Sequence, residues 1–390
     1  MKVKVLKEIM NDEVNIESLH NSPSGVGGRF IIAGGGTGGH IFPAIAIANA
    51  IKKMQPSAHI LFVGAKGKME MEKVPQAGYE IEGLDIAGLN RSSLIKNVGL
   101  PYKLIKSLLQ VRKIFKKFKP QAVIGVGGYS SFPVLRFAQN KSIPTFIHES
   151  NSFAGKANIM LGRKATKIFT ASDGMEKFFP AAKILITGNP VRAAIAHNHI
   201  SRTEGIDFFN LDPLKKTVLS VGGSLGAKNI NEALSSHISD FEKSGLQLIW
   251  QTGKPFAEKG KQVAEGKNNV WVSDFITHME YAYAAADLVI SRSGAMAIAE
   301  LCVEKKPTVF VPYPFAAEDH QTVNAQTLVN KHAGLMIKDS EAMQKLVPAI
   351  IALSEDDKKQ KELKENIGKL GMTNADEIIA REILKAIEVK

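Results

Sequence analysis

The sequence predicts an α/β protein with two Rossmann-like domains and a cleft between them. Three features of the 390-residue chain lead to this prediction. Short Val/Ile-rich runs alternate with helical stretches from Arg29 onward, a glycine-rich turn follows the first run, and the same order of strand, glycine turn and helix begins again at Lys216. Continuous apolar strands that are each followed by a helix are typical of a parallel sheet covered on both faces. Ligands of such sheets bind beyond the carboxyl ends of the strands, so glycine turns from both halves are expected to line one cleft.

The first strand, expected at 29–33, runs into the segment Gly34-Gly-Gly-Thr-Gly-Gly-His40, and a helix is expected over Ile41–Met54. Glycine lets the backbone turn at positive φ and approach a ligand closely. A helix start adds unpaired N–H groups and the positive end of the helix dipole. The segment therefore indicates a site for a phosphate or a sugar oxygen. A tight strand-to-helix turn without a ligand is the alternative.

Gly34, Gly36 and Gly39 also match the spacing G-x-G-x-x-G of dinucleotide-binding domains. That interpretation needs an acidic residue at the end of the next strand to hold a ribose. The next strand, expected at 59–64, is followed by an alanine and a lysine instead, which argues against NAD.

The domain limits follow from the same alternation, because the segment Gly188-Asn-Pro-Val-Arg192 interrupts it. The predicted division is a flexible leader at 1–28, an N-terminal domain at 29–190, a C-terminal domain at 191–354, and terminal helices at 355–390 that pack back on the N-terminal domain. The remaining strands are expected near 79–85, 121–126, 144–148, 165–170, 183–187, 246–251, 270–274, 287–291, 307–312 and 334–338.

Composition excludes several classes of protein. The chain has 44% hydrophobic residues, enough for two domains with real cores, and one cysteine, Cys302, so a disulfide framework is excluded and a reducing cytoplasm is expected. It has no run of eighteen apolar residues and no apolar core of a signal peptide, so no membrane-spanning segment is expected. The net charge is +12, and its basic excess is concentrated between Ile86 and His148, where no Asp or Glu occurs.

Seven motifs stand in a fixed order along the chain: Gly35–His40, Gly127–Ser130, His148–Asn151, Gly188–Arg192, Gly222–Ala227, Arg292–Ala295 with Glu300, and Asp319–Ala325. Together they resemble the MurG family of bacterial N-acetylglucosaminyltransferases, which convert lipid I to lipid II in peptidoglycan synthesis. The resemblance runs from about Arg29 to the C-terminus. It departs from the family in the leader and at Ser150, where the family often has Gln. It implies the GT-B glycosyltransferase fold and an inverting transfer from UDP-N-acetylglucosamine that uses no metal and no other cofactor.

The sequence itself also lacks the residue pattern of a metal site. No Asp-x-Asp ends a predicted strand, and the cluster Glu318-Asp319-His320 lacks the spaced partners that a metal site needs. Helix starts and backbone donors are then expected to neutralise the diphosphate.

The resemblance assigns the donor nucleotide mainly to the C-terminal half. Backbone N–H groups at the helix starts after the first glycine loop and after Gly294 are expected to donate hydrogen bonds to oxygens of the donor. The side-chain amides of Asn151 and Gln321 suit the hydroxyls and the acetamido group of the sugar. A turn-forming Asn and an exposed helix residue are the alternatives for these two amides. The full expected donor-binding set is Thr37, Gly38, Gly39, Asn151, Arg192, Ser224, Ile276, Ala295, Met296, Ala297, Ile298, Ala299, Glu300 and Gln321.

Four members of this set also have structural interpretations. Glu300 is expected to accept both ribose hydroxyls, although a lone helix carboxylate is more often solvated. Ser224 donates to a phosphate oxygen, caps a helix, or does both. Arg192 contacts the nucleotide or forms an interdomain ion pair, and Ile276 pairs its backbone with uracil or lies in the core.

His40 is the candidate catalytic residue. A general base has to take the proton from the 4-hydroxyl of the muramyl sugar, and a histidine pKa near neutrality suits that task. The alternatives are a helix cap and a ligand for the diphosphate of the lipid acceptor. His148 and Glu149 are second candidates for the base.

The basic stretch indicates where the lipid acceptor is met. Residues 94–109 combine bulky apolar residues with lysines and lack an acid, which suits an anionic membrane surface. A helix with a solvated basic face is the alternative. A set of apolar residues that recur at helical spacing is expected to face the core: Leu104, Leu108, Val111, Phe115 and Phe118. The membrane-contact candidates are Leu94, Ile95, Lys96, Leu100, Lys103 and Lys106.

The resulting function is transfer of N-acetylglucosamine to lipid I at the cytoplasmic face of the bacterial plasma membrane, by a peripheral protein that also contacts other cell-wall synthesis proteins. The enzymatic alternatives are a UDP-sugar transferase acting on another glycolipid and a UDP-N-acetylglucosamine epimerase. A non-catalytic UDP-N-acetylglucosamine-binding membrane partner is the alternative from another class. No nucleic-acid partner is expected, because the chain shows no binding module and no aromatic stacking pattern around its basic stretch.

Overall fold

The computed structural model describes residues 27–87, 100–223, 226–316 and 319–388, with the backbone alone described at 100–104. The first described residues, Gly27 and Gly28, are buried, and the carbonyl of Gly28 accepts the N–H of His59 at 2.7 Å. These two residues therefore belong to the packed fold, while the rest of the leader predicted at 1–28 lies outside the described residues.

The N-terminal half forms one parallel sheet in the order β3-β2-β1-β4-β5-β6-β7. Its central strands are apolar and buried on both faces, which is why they pair in parallel between two layers of helices. The strands are β1 Arg29–Ala33, β2 His59–Ala65, β3 Glu80–Leu84, β4 Ala122–Gly125, β5 Thr145–Glu149, β6 Lys167–Thr170 and β7 Ile184–Ile186, and the helices are α1 Gly38–Met54, α2 Glu70–Gln76, α3 Leu100–Phe118, α4 Ser131–Asn140 and α5 Lys156–Gly162.

The C-terminal half forms a second parallel sheet in the order β10-β9-β8-β11-β12-β13. Its strands are β8 Thr217–Val221, β9 Gln247–Gln251, β10 Val270–Ser273, β11 Leu288–Ser291, β12 Thr308–Phe310 and β13 Leu335–Met336. Its helices are α6 Ala193–Ala196, α7 Arg202–Phe208, α8 Lys228–Ser236, α9 Ile238–Lys243, α10 Ala257–Ala264, α11 Met279–Ala285, α12 Ala295–Val303, α13 His320–Val329, α14 Ala342–Glu355, α15 Asp357–Gly368 and α16 Ala375–Glu388. The predicted fold class, two α/β domains of the Rossmann type, is confirmed.

The chain crosses between the two halves twice. It leaves the first sheet through Gly188, whose φ is +77° and whose Cα faces the side chain of Met372 in the returning segment. Helix α16 then packs against α1, where Ile379 and Ile383 join the core beneath the first sheet. The two crossing segments are thus in contact at a position where a side chain larger than glycine would clash.

Helix α1 begins three residues before the predicted start at Ile41. Thr37 is the N-cap, with an extended backbone at φ −144° and ψ 157°, and its carbonyl accepts the N–H groups of His40 and Ile41. Gly38 and Gly39 led to the prediction of a loop, but they occupy the first helical turn, where glycine is readily accommodated. His40 consequently lies in the first turn of a helix, with the unpaired N–H groups of that turn beside it.

Helix α3 is amphipathic. Val111 and Phe115 lie in the core as predicted, Leu108 is half-buried, and Ile105 and Leu109 are 61% and 62% exposed. Within the described parts of the chain, no helix combines the length and the apolar character needed to cross a bilayer.

Candidate active site

Two glycine loops of the first sheet lie against each other at the carboxyl ends of β1 and β4. The N–H of Gly35 donates to the carbonyl of Gly127 at 3.3 Å, and a Cβ at Gly128 would lie 2.5 Å from the carbonyl oxygen of Gly35. Gly127 has φ +97°, and a Cβ there would come within 2.8 Å of the His40 ring. Glycine is therefore required here both by the backbone conformation and by the close approach of the histidine.

His40 is half-buried at the base of this loop. Its Nδ1 lies 3.0 Å from the carbonyl of Gly35 and 3.4 Å from Oγ1 of Thr37. Because a carbonyl only accepts, Nδ1 carries the proton and Nε2 is left with a lone pair. Burial lowers the pKa of His40, and His320 lowers it further, whereas the bond to Gly35 and the charge of Glu149 raise it. His320 belongs to the C-terminal half, so residues of both halves of the chain lie near this histidine.

Glu149 organises the loop that follows β5. It is 4% exposed, and its Oε1 accepts the N–H of Asn151 at 3.1 Å. Its Oε2 accepts the N–H of Gly155 at 3.0 Å and the side-chain amide of Asn158 at 2.8 Å. The carboxylate thereby fixes the position of Asn151. His148, immediately before it, is fully buried, and this burial lowers its pKa to about 4.

Asn324 bridges the two domains through a buried amide. Its Nδ2 lies 3.2 Å from Oδ1 of Asn151 and 3.2 Å from the carbonyl of Ser293, and its Oδ1 accepts the N–H of Ser152 at 2.9 Å. Asn324 is 3% exposed. Asn324 belongs to the motif Asp319–Ala325, in which no role was expected for it. The structure shows that it joins the expected sugar-binding loop to the start of α12.

Helix α12 begins at Ala295 after the N-cap Gly294, which directly follows Ser293 of this bridge. The N–H of Ile298 donates to the carbonyl of Gly294 at 3.0 Å, so from Ile298 onward, including Ala299, the N–H groups are used inside the helix. The free donors are then those of Ala295, Met296 and Ala297. Asn189, from the segment that leaves the first sheet, also contacts this helix start, because its Nδ2 lies 3.3 Å from the carbonyl of Ala295.

Gln321 lies beside the start of α12. Its backbone carbonyl accepts the hydroxyl of Ser293 at 2.8 Å, and its Oε1 accepts the N–H of Tyr313 at 3.0 Å. Within the part of the chain that the structure describes, no acceptor is found for its side-chain NH₂ group, which can donate to a ligand. Ser293 itself is fully buried, so the helix start and the loop before α13 are held as one unit.

Glu300, one and a half turns into α12, belongs to a three-residue cluster. Its Oε1 lies 2.9 Å from both Nε and Nη2 of Arg192, and its Oε2 accepts the hydroxyl of Tyr283 at 3.0 Å. Glu300 is 8% exposed, and burial together with the Glu300 charge raises the pKa of Tyr283 well above its ordinary value. A carboxylate has about four acceptor positions, so it keeps capacity for a further donor. The sequence did not identify Tyr283 as a site residue, because a tyrosine in a helix is usually interpreted as a core residue.

Two further residues of the expected donor-binding set are Ile276 and Ser224. Ile276 is 2% exposed, and its N–H donates to Oε1 of Gln251 at 3.2 Å, which leaves its carbonyl as an acceptor. Ser224 lies outside the described residues. Among the residues that the structure describes, no group of three or more His, Cys, Asp or Glu side chains is arranged to hold a metal ion.

The membrane-contact candidates are described only in part. Leu94, Ile95 and Lys96 fall outside the described residues, and only the backbone is described at Leu100 and Lys103. Lys106 lies 3.1 Å from Oδ2 of Asp85, on a helix face next to the exposed Ile105 and Leu109.

Known proteins resemble the chain over most of its length. Residues 30–170 match the glycosyltransferase family 28 N-terminal domain, and residues 217–379 match the glycosyltransferase family 28 C-terminal domain. A protein of Phocaeicola vulgatus named UDP-N-acetylglucosamine--N-acetylmuramyl-(pentapeptide) pyrophosphoryl-undecaprenol N-acetylglucosamine transferase is 52% identical over 360 residues, which cover 92% of this chain and 96% of that protein. A protein of the same name from Bacteroides thetaiotaomicron is 51% identical, with coverage of 93% and 98%. The crystal structure of Acinetobacter baumannii MurG superimposes with a TM-score of 0.74 at 28% identity, covering 92% of this chain and 99% of that chain.

Proposed function

The chain belongs to the MurG branch of glycosyltransferase family 28, and from this premise we propose that it transfers N-acetylglucosamine from UDP-N-acetylglucosamine to the 4-hydroxyl of undecaprenyl-diphospho-N-acetylmuramoyl-pentapeptide. This acceptor is lipid I, and the product is lipid II of peptidoglycan synthesis. The transfer inverts the anomeric carbon and uses no metal. The names of the two bacterial relatives supply the donor and acceptor classes.

One observation supports the proposal most strongly. The starts of α1 and α12 come from different domains, and the amide of Asn324 connects the loop of Asn151 to Ser293, the residue before the N-cap of α12. Both helix starts offer unpaired N–H groups and the positive end of a dipole, which favours a diphosphate and the charge that develops on it as it leaves. The amides of Asn151 and Gln321 suit a sugar placed between these two helix starts.

The chemistry is a single displacement. Nε2 of His40 takes the proton from the 4-hydroxyl as that oxygen forms a bond to the anomeric carbon of N-acetylglucosamine. The bond from the anomeric carbon to the diphosphate oxygen breaks, and UDP leaves with the electron pair. The free N–H groups of α12 stabilise the new negative charge on the diphosphate. Glu149 is committed to four backbone and side-chain donors, and His148 is fully buried, so His40 is the better base of the three.

The two domains divide the substrates. The C-terminal domain, residues 191–354, holds the UDP-N-acetylglucosamine through α12 and Glu300, with the carbonyl of Ile276 facing the uracil edge. The N-terminal domain, residues 29–190, holds the lipid acceptor. Closure around the Asn324 bridge orients the two substrates and excludes water.

A transfer assay tests this function. The purified protein is incubated with UDP-N-acetylglucosamine and a short-chain lipid I analogue, and mass spectrometry is expected to show the acceptor gaining one N-acetylhexosamine. Incubation with UDP-N-acetylglucosamine alone is the control, because an epimerase would change the sugar without an acceptor. An unchanged acceptor in the presence of folded protein that binds UDP would contradict the proposed transfer.

We also propose that α3 places the N-terminal domain on the cytoplasmic face of the plasma membrane. Ile105, Leu109, Arg112 and Lys116 recur at i, i+4, i+7 and i+11 and therefore share one side of the helix. All four are exposed. Apolar side chains flanked by cations suit a surface of anionic lipid, where the acceptor's polyprenyl chain is embedded.

Liposome flotation tests the membrane contact. Changing Ile105 and Leu109 to Gln together with Arg112→Gln and Lys116→Gln is expected to weaken binding to anionic vesicles roughly tenfold or more, since both apolar burial and charge attraction are lost. The control changes Lys358 and Lys361 of α15 to Gln, which removes the same number of exposed cations elsewhere. Equal binding of the wild type to neutral and anionic vesicles, or no effect of the α3 changes, would count against the proposal.

A further inference from the structure

A buried carboxylate lies directly beneath the glycine loop. Glu70, at the start of α2, is 1% exposed. Its Oε2 accepts the N–H of Gly36 at 2.8 Å, and its Oε1 accepts the N–H of Ala65 at 3.0 Å. The carboxylate therefore joins the end of β2 to the loop that leads into His40.

Two glycines make room for this carboxylate. A Cβ at Gly35 would lie 2.3 Å from Cδ of Glu70, and a Cβ at Gly64 would lie 2.5 Å from its Cγ. Both distances are shorter than any contact that real side chains make. Part of the glycine content of the loop is thus required by Glu70 and is independent of any ligand.

A single peptide unit lies between Glu70 and His40. The N–H of Gly36 and the carbonyl of Gly35 belong to the same planar group. The N–H donates to Glu70, and the carbonyl accepts Nδ1–H of His40 at 3.0 Å. Hydrogen bonds in such a chain polarise one another in a site of low dielectric constant.

We infer that Glu70 is a positioning residue for His40, acting through the Gly35–Gly36 peptide to fix the imidazole with its proton on Nδ1 and its lone pair on Nε2. This inference rests on the proposed role of His40 as the base. In a Ser-His-Asp triad the carboxylate holds the imidazole directly. Here a peptide group stands between them, and the carboxylate orients the carbonyl that does the holding.

The tautomer of His40 provides a test that does not depend on turnover. The protein is labelled with ¹⁵N histidine, and the His40 signals are assigned by their loss in His40→Ala. At a pH where the ring is neutral, the wild type is expected to show the Nδ1–H tautomer as the dominant form. A dominant Nε2–H tautomer in the wild type would overturn the inference, whether or not a Glu70 variant folds.

The matched variants are Glu70→Gln and Glu72→Gln. Both native partners of Glu70 are N–H donors, so the NH₂ group of a glutamine must face one of them, and one bond is lost with the charge. Glu72 is a surface residue two positions further along α2, with 65% of its side chain exposed. Glu70→Gln is expected to lose the single dominant tautomer and to lower kcat on the order of 10²-fold, with the KM for the donor little changed. Glu72→Gln is expected to resemble the wild type in both measurements.

A purely structural role gives a different result. If folded Glu70→Gln melts at a lower temperature but keeps the Nδ1–H tautomer and a kcat within threefold of the wild type, the inference is wrong. The tautomer measurement also separates it from the proposed function. A wild type that transfers no sugar contradicts that function, whereas the dependence of the tautomer on Glu70 is decided by NMR alone.

Discussion

Replacing His40 by alanine is expected to lower kcat by a factor on the order of 10²–10⁴, which is the usual contribution of a positioned general base. The imidazole stands in the first turn of α1, with Nδ1 held by the carbonyl of Gly35 and Nε2 left to accept a proton. The measurement is the rate of UDP release with saturating donor and lipid I analogue. A drop in kcat and kcat/KM by the same factor would indicate an interaction that forms only in the transition state.

A second substitution separates the base from the structural roles of this residue. In His40→Asn the side-chain amide can still donate to Gly35, so the loop is retained while the proton acceptor is removed. We expect this variant to be as slow as His40→Ala. His59→Ala, at the exposed start of β2, is the control and should leave kcat unchanged. If both His40 variants keep near-normal kcat and raise only the KM of the acceptor, the histidine binds the acceptor diphosphate and is not the base.

The pH profile supplies an independent readout for the same residue. Burial lowers the pKa of His40, with Glu149 and Glu70 acting in the opposite direction and His320 in the same direction. A base is active when unprotonated, so kcat/KM, which reports the pKa values of the free enzyme, is expected to fall toward acid with its midpoint below the ordinary histidine value. Burial lowers the pKa of His148 to about 4, so this second histidine would titrate only in strongly acidic solution.

The strands of this fold were predictable because their signals are local. Apolar runs such as Arg29–Ala33 and the glycine turns after them fix where a parallel strand ends and a helix begins. The start of α1 was misplaced because Gly38 and Gly39 favour a loop in composition, while their position just after an extended N-cap makes them helical. Local signals therefore set the order of elements more securely than their limits.

The connections within the site were not predictable, because they join distant parts of the chain. Asn324 and Asn151 are separated by 173 positions, and Glu70 and Gly36 by 34. A glutamate or an asparagine alone in a helix favours a solvated surface position, and only the folded sheets bring these side chains to the loops they hold. The exposure of Ile105 and Leu109 likewise depends on which side of α3 the sheet covers, which apolar content alone does not reveal.

Changing Glu300 to glutamine is expected to raise the KM and the dissociation constant of UDP-N-acetylglucosamine roughly 10- to 100-fold. A hydrogen bond to a charged group contributes about 1.5–3 kcal/mol, and each 1.4 kcal/mol corresponds to a tenfold change. The carboxylate is oriented by Arg192 and by the hydroxyl of Tyr283, and it keeps acceptor capacity for the ribose. Glu304→Gln is the matched control, since Glu304 lies one turn further along and pairs with Asn198 at 2.8 Å.

The ribose contact itself is tested with a donor that lacks the 2′-hydroxyl. If Glu300 accepts that hydroxyl, the wild type binds the 2′-deoxy donor more weakly than the natural one, and Glu300→Gln distinguishes the two donors far less. The wild-type ratio of the two affinities divided by the same ratio for Glu300→Gln gives the coupling free energy between the carboxylate and the hydroxyl, free of any general loosening of α12. Should Glu300→Gln lose as much affinity on removal of the hydroxyl as the wild type does, Glu300 would serve only to hold Arg192 and Tyr283. The ribose would then have to be bound by other groups in the cleft.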